Sequence, residues 1–274
     1  MIKKLADKYA LLFSFIITFA VIILFTASML MFAAAFKVDL TNIKYDINFY
    51  IVSILGKIIF FAFVFFILLA LKMQSVMRLS TKGLLKGFAI GWFFIVVGVL
   101  LFFSGLDFSK LNSIEPGRWP LLIFLAVETL LAGITEEFLC RGILFKVILD
   151  KYNNMVKAVF ISSAVFGVVH LLNLFYQPVL STVMQVVYAF SFGTLFAAIY
   201  VRCGNIWAVV LLHGFFNFCS GSSSQVLTPP EIIVEGGIAD QMPVFVLSAF
   251  TVCLAMFLIR KKKTAVRDME LYSQ

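Results

Sequence analysis

The residues most able to do chemistry sit where the chain is otherwise apolar. In ITEEFLCRGIL, residues 134–144, Glu136 and Glu137 are adjacent, Arg141 follows, and Leu, Phe and Ile surround them. If the segment is helical, Glu137 and Arg141 are four apart with the acid on the N-terminal side, the favourable order for an ion pair. Glu136 is five residues from Arg141 and points away from it. Arg141 can therefore neutralise Glu137, and Glu136 is left to face another group, as a general base would.

An ionisable residue inside a bilayer costs about 2.5–3.5 kcal/mol, so each one needs a partner or a task. Between residues 120 and 219 the charged, imidazole and carboxamide residues inside apolar runs, apart from those at the very ends of the runs, are few. They are Glu128, Glu136, Glu137, Arg141, His170, Asn173, Gln185, His213 and Asn217. The chain has only two histidines, and both belong to this set. Glu128, two helical turns before Glu136, either lines the same site or is structural. Gln185 reads as a helix contact.

The elements that must position these groups are membrane helices. The chain has 274 residues, 62% hydrophobic and 13% charged, with 33 Phe, which excludes an ordinary soluble domain. A hydrocarbon core about 30 Å thick takes about 20 apolar residues per helix. Eight stretches qualify, at 10–36, 50–71, 87–104, 120–146, 157–178, 183–201, 204–219 and 242–259, the seventh being short. The expected fold is all-α: a polytopic helical bundle of about eight spans forming one integral membrane domain over 1–274, with a functional core at about 120–219. The run 10–36 is too long for the apolar core of a signal peptide and reads as a retained first span. Gly83, Gly87 and Gly91 form a small-xxx-small series suited to close helix packing. Cys140, Cys203, Cys219 and Cys253 have no metal-ligand spacing and read as reduced packing residues.

The loops set orientation. Lys3, Lys4 and Lys8, then Lys72, Arg78, Lys82 and Lys86, then Lys146, Lys151 and Lys157, then Arg202, then Arg260 to Lys263 fall on alternate connections. The opposite connections hold Lys37, Lys44, Lys110 and Arg118, offset by Asp39, Asp46, Asp107 and Glu115, and 220–241 carries Glu231, Glu235 and Asp240 with no basic residue. This bias places both termini in the cytoplasm. The net charge of +8 then reflects topology and an anionic leaflet, not nucleic acid.

Depth gives a second pattern. Glu136 lies about 21 Å from the basic side, His170 about 20 Å and His213 about 17 Å at 1.5 Å per residue, with Asn217 one turn beyond His213 on the same face. Three helices bring their polar groups to one level. Hydrolysis is one use of such a site; interhelical glue and an ion or proton path are others. Glu136, His170 and His213 also make a zinc set with an open water position, although Asn is a poor zinc ligand and no HExxH is present.

Glu136-Glu137-Phe138-Leu139-Cys140-Arg141 resembles the EExxxR motif of the CPBP intramembrane proteases, also called the Abi family, which includes the type II CAAX prenyl endopeptidases. Phe166 to His170 resembles its FxxxH motif and His213 to Asn217 its HxxxN motif, in family order across about 85 residues. Cys140 departs from the aromatic common before the arginine. The resemblance implies an endopeptidase acting on a membrane-associated protein or peptide. In it Glu136 and His170 activate water, His213 and Asn217 bind the oxyanion, and Glu137 with Arg141 form a supporting salt bridge. It implies a glutamate-type mechanism with no cofactor, a zinc-dependent one staying open. The competing class is a non-enzymatic membrane protein, for bacteriocin self-immunity or transporter-like, using the same cluster for binding. The Phe-, Ile- and Lys-rich composition fits the plasma membrane of a bacterium. Substrate identity and oligomeric state are not legible.

Overall fold

The computed structural model describes residues 2–39, 46–104, 116–175, 178–227 and 242–260, and among these every regular element is helical. In chain order they are α1 (Ile2–Lys8), α2 (Ala10–Phe36), α3 (Ile47–Leu71), α4 (Leu84–Ile90), α5 (Trp92–Ser104) and α6 (Leu121–Glu137). There follow α7 (Phe145–Tyr152), α8 (Met155–Val169), α9 (Val179–Cys203), α10 (Ile206–Gly221) and α11 (Met242–Ile259). A π-helical segment, Phe138–Leu144, joins α6 to α7, and a 3-10 segment, His170–Phe175, extends α8.

Within the described residues the eight apolar stretches are essentially helical, the fifth as far as Phe175. By length and apolarity five helices can cross a membrane, with a sixth if α4 and α5, bent by 63°, count as one span. The stretch 120–146 and the short α10 fall outside that test, because one carries the charges and the other has only 16 residues. Lys44, Asp107, Lys110, Glu115, Glu231, Glu235, Asp240 and Lys261–Lys263, used in the charge reading, lie outside the described residues, as does most of 220–241.

Local chemistry fixes the helix ends. Asp46, Asn154 and Asn205 accept hydrogen bonds from the first backbone amides of α3, α8 and α10, satisfying donors that a helix start leaves open. Lys37, Lys72, Asn153 and Gly204 close helices in the left-handed conformation. The Gly83, Gly87, Gly91 series does pack closely: at Gly83, with φ of 80°, a β-carbon would lie 2.1 Å from the Cys203 carbonyl oxygen. Gly87 and Gly91 meet Ala208 and Leu212 of α10 in the same way.

The core lies around α9 and α10. α8 and α11 pack along α9, α6 packs along both α10 and α3, and α2 pairs with α3. Phe93 and Phe94 of α5 interlock with Phe192 and Phe196 of α9 and Phe216 of α10, an apolar wall behind the polar groups. Cys140, Cys203 and Cys219 are buried free thiols, as packing residues would be, whereas Cys253 is exposed.

Candidate active site

Glycine lets α6 and α10 touch. A β-carbon on Gly133 would lie 2.6 Å from the Val210 carbonyl oxygen and 3.2 Å from the Gly214 backbone nitrogen. The next turn of α6 carries Glu136 and Glu137, so this contact delivers both carboxylates to the His213 face of α10. Immediately afterwards the helix loosens into the π segment that carries Arg141. Such insertions re-aim side chains and recur at functional sites. The depth of Glu136 above Asp150 is accordingly less regular than a uniform α-helical rise supposes.

Glu137 is the hub. Arg141 Nη1 donates to Glu137 Oε1 at 2.9 Å, with both side chains completely buried. The same Oε1 lies 2.9 Å from His213 Nδ1. Arg141 Nη2 donates to the Gly193 carbonyl of α9 at 2.6 Å. Its guanidinium lies over the rings of Phe166 and Phe196, 5.2 and 5.7 Å from their centroids. The buried charge is thus met by a carboxylate, a carbonyl and two π faces, the company that a desolvated cation requires.

His213 faces both carboxylates. Its Nδ1 is engaged by Glu137, and its Nε2 lies 3.8 Å from Glu136 Oε2. That separation is too long for a direct hydrogen bond, so both atoms stay open to a third group. Phe196 stacks on the imidazole at 5.1 Å and 22°, and Phe166 meets it edge-on at 5.7 Å. Glu136 keeps 28% of its side chain accessible, whereas Glu137 is fully enclosed.

His170 enters through Phe166. The two rings are 5.1 Å apart, and His170 Nδ1 lies 2.8 Å from the Phe166 carbonyl oxygen. A carbonyl only accepts, so Nδ1 is the donor and Nε2 is the nitrogen left for chemistry. Asn217 lies one turn beyond His213 on α10, half-buried.

The remaining polar residues sort differently. Gln185 Oε1 accepts from Asn173 Nδ2 at 2.6 Å, tying the 3-10 segment to α9, a helix contact as expected. Glu128 is ion-paired with Lys57 of α3 and accepts from Ser53 Oγ at 2.9 Å. Lys57 is legible in the sequence as a charge inside the apolar run 50–71, but it falls outside the segment 120–219 that carries the other polar residues. The Gly193 carbonyl and the Phe196 ring gave no signal, since every residue has a carbonyl and the chain has 33 phenylalanines.

Among the described residues no three His, Cys, Asp or Glu side chains come together as a metal-holding group.

Residues 118–219 match the family model of the type II CAAX prenyl endopeptidase Rce1-like proteins. The matched segment runs from the turn before α6 to the end of α10 and contains all six site residues, in agreement with the resemblance carried by the three motifs. No curated protein and no solved structure matches the chain.

Proposed function

We propose that the protein is an intramembrane endopeptidase that hydrolyses a peptide bond of a membrane-associated protein or peptide. The observation that carries this reading is Glu136, accessible and with no lysine or arginine partner among the described residues, facing a histidine whose other nitrogen is held by a buried carboxylate. The similarity of 118–219 to prenyl endopeptidases supports the same reaction class.

Peptide hydrolysis needs a base for water, donors where the carbonyl oxygen gains charge, and a proton for the leaving amine. Glu136 is the base, with His170 Nε2 holding the same water. His213 and Asn217, one turn apart on α10, are the donors to the oxyanion. Glu136, having taken the proton of water, passes it to the amine. Glu137 and Arg141 touch no reacting atom in this scheme. They set the ring orientation of His213 and keep Nε2 turned toward Glu136. The bias of basic residues supports cytoplasmic termini. The substrate then reaches the site from within or along the bilayer.

The test is cleavage of hydrophobic and prenylated peptides by purified wild type and Glu136→Gln in detergent, each with and without a strong chelator. Activity that falls by about 10²–10⁴-fold in Glu136→Gln, the size expected for losing a general base, and that ignores the chelator supports the scheme. Loss on chelation, restored by zinc, moves the histidines to ligand roles. Folded wild type that cleaves nothing points to a binding or transport protein.

A further inference from the structure

A second polar cluster lies apart from the site. Lys57 of α3 is ion-paired with Glu128 of α6 and donates to Ser53 Oγ at 3.0 Å, with the Phe25 ring of α2 5.6 Å from its nitrogen. Glu128 is seven residues into α6 and Lys57 ten residues into α3, depths of about 10 and 15 Å at the helical rise. Yet the cluster is not sealed: 18% of the Glu128 side chain and 10% of that of Lys57 are accessible. A carboxylate open at that depth needs water or another polar group beside it, because hydrocarbon offers no hydrogen bonds.

The cluster's own chemistry narrows what that group is. An ammonium has three donors, and Lys57 spends two on Ser53 and Glu128. Glu128 shares Oε1 between Lys57 and Ser53, and Oε2 is its second acceptor. The pair has no net charge, so neither a lone cation nor a lone anion is favoured. A group that both accepts and donates suits it, and an amide does both.

We infer that Lys57, Glu128 and Ser53 form a subsite for a backbone amide of an extended peptide, an inference that rests on the endopeptidase reading above. Glu128 is eight residues from Glu136 on α6, about 12 Å along the axis. An extended chain covers that distance in about three to four residues, at roughly 3.3–3.6 Å each. A protease opens its substrate into an extended strand, and inside the bilayer that strand has no water to satisfy its amides. The subsite supplies both partners at one position along the strand.

The experiment uses full-length protein in detergent and peptides sharing one scissile bond, lengthened residue by residue on either side. In wild type, kcat/KM is expected to rise about tenfold when the chain reaches three or four residues from the bond on one side, the worth of a charge-assisted hydrogen bond. Replacing the amide at that position by an ester removes its N–H and should abolish the rise. In Lys57→Met/Glu128→Leu the ratio of long to short peptides should fall to about one. No rise in wild type, an ester cleaved as well as the amide, or a ratio unchanged in the double variant overturns the subsite and leaves the endopeptidase standing. If wild type cleaves no peptide of any length, both readings fall together. The ester arm needs only wild type, so it decides the matter even if the double variant does not fold.

Discussion

Among the described residues, α6 takes part in two lysine or arginine ion pairs, and they are built on opposite plans. Glu137 and Arg141 are entirely enclosed, and their charges are matched by His213, the Gly193 carbonyl and two aromatic faces. Lys57 and Glu128, about two turns nearer the start of α6, have fewer partners and remain partly open. A sealed pair held from several sides cannot change partners without stranding a buried charge, so it serves to fix geometry. An open pair has capacity left for something that comes and goes. The contrast assigns rigidity to the pair that orients His213 and exchange to the pair one subsite away.

The sharpest way to break this contrast is to remove one cation from each pair. Arg141→Met leaves Glu137 buried without its counter-charge, and removing one partner of a sealed pair costs about 3–5 kcal/mol. The expected outcome is a large fall in thermal unfolding temperature in detergent, with loss of any activity following from it. A variant as stable as wild type would mean that His213 alone satisfies Glu137, and the sealed pair would lose its structural role.

Lys57→Met tests the open pair, and a smaller effect is expected. Glu128 retains access to a polar medium, so the cost should be about 1–3 kcal/mol, the range for a polar group losing its partner. Adding Glu128→Leu should recover most of it, because replacing an ion pair with apolar side chains is often neutral. Thermal unfolding of the single and double variants measures this directly. A loss in Lys57→Met equal to that of Arg141→Met would show that the two pairs are equally sealed, and the distinction would fail.

The parts of this arrangement that reading the chain could reach are those written as rare residue types in an apolar background. Glu136, Glu137, Arg141, His170 and His213 stand out because charge and imidazole are costly there, and the i,i+4 pairing of Glu137 with Arg141 is visible in spacing alone. The helix positions were legible for the same reason: Ala10–Phe36 begins and ends where its apolar run does. What spacing could not give is the third dimension. His213 reaches Glu137 because Gly133 and Gly214 let two helices meet, and nothing in either segment names the other. Spacing alone leaves Glu128 open between site and structure, and only the fold sets Lys57 of α3 beside it. The π segment was also unreadable, since Phe138–Leu144 has the composition of any apolar helix.

The smallest effect should come from the aromatic packing that completes the sealed pair. Phe196 stacks on His213 on one side and lies against the Arg141 guanidinium on the other, so it holds together two members of the same cluster. Phe196→Leu keeps most of the buried apolar volume and removes the π face. The ring contacts are worth about 0.5–1.5 kcal/mol beyond area burial. Unfolding should therefore shift less than in either ion-pair variant. The informative readout is how the loss divides in kinetics. If the ring orients His213, kcat should fall while KM holds, because an oxyanion donor acts in the transition state rather than in substrate binding. If the ring is only filler, stability falls slightly and kcat/KM of the folded fraction is unchanged. A stack that merely fills space would reduce the sealed cluster to Glu137, Arg141 and His213. A stack that moves kcat extends it to a third helix, α9, whose Gly193 carbonyl already meets the same arginine.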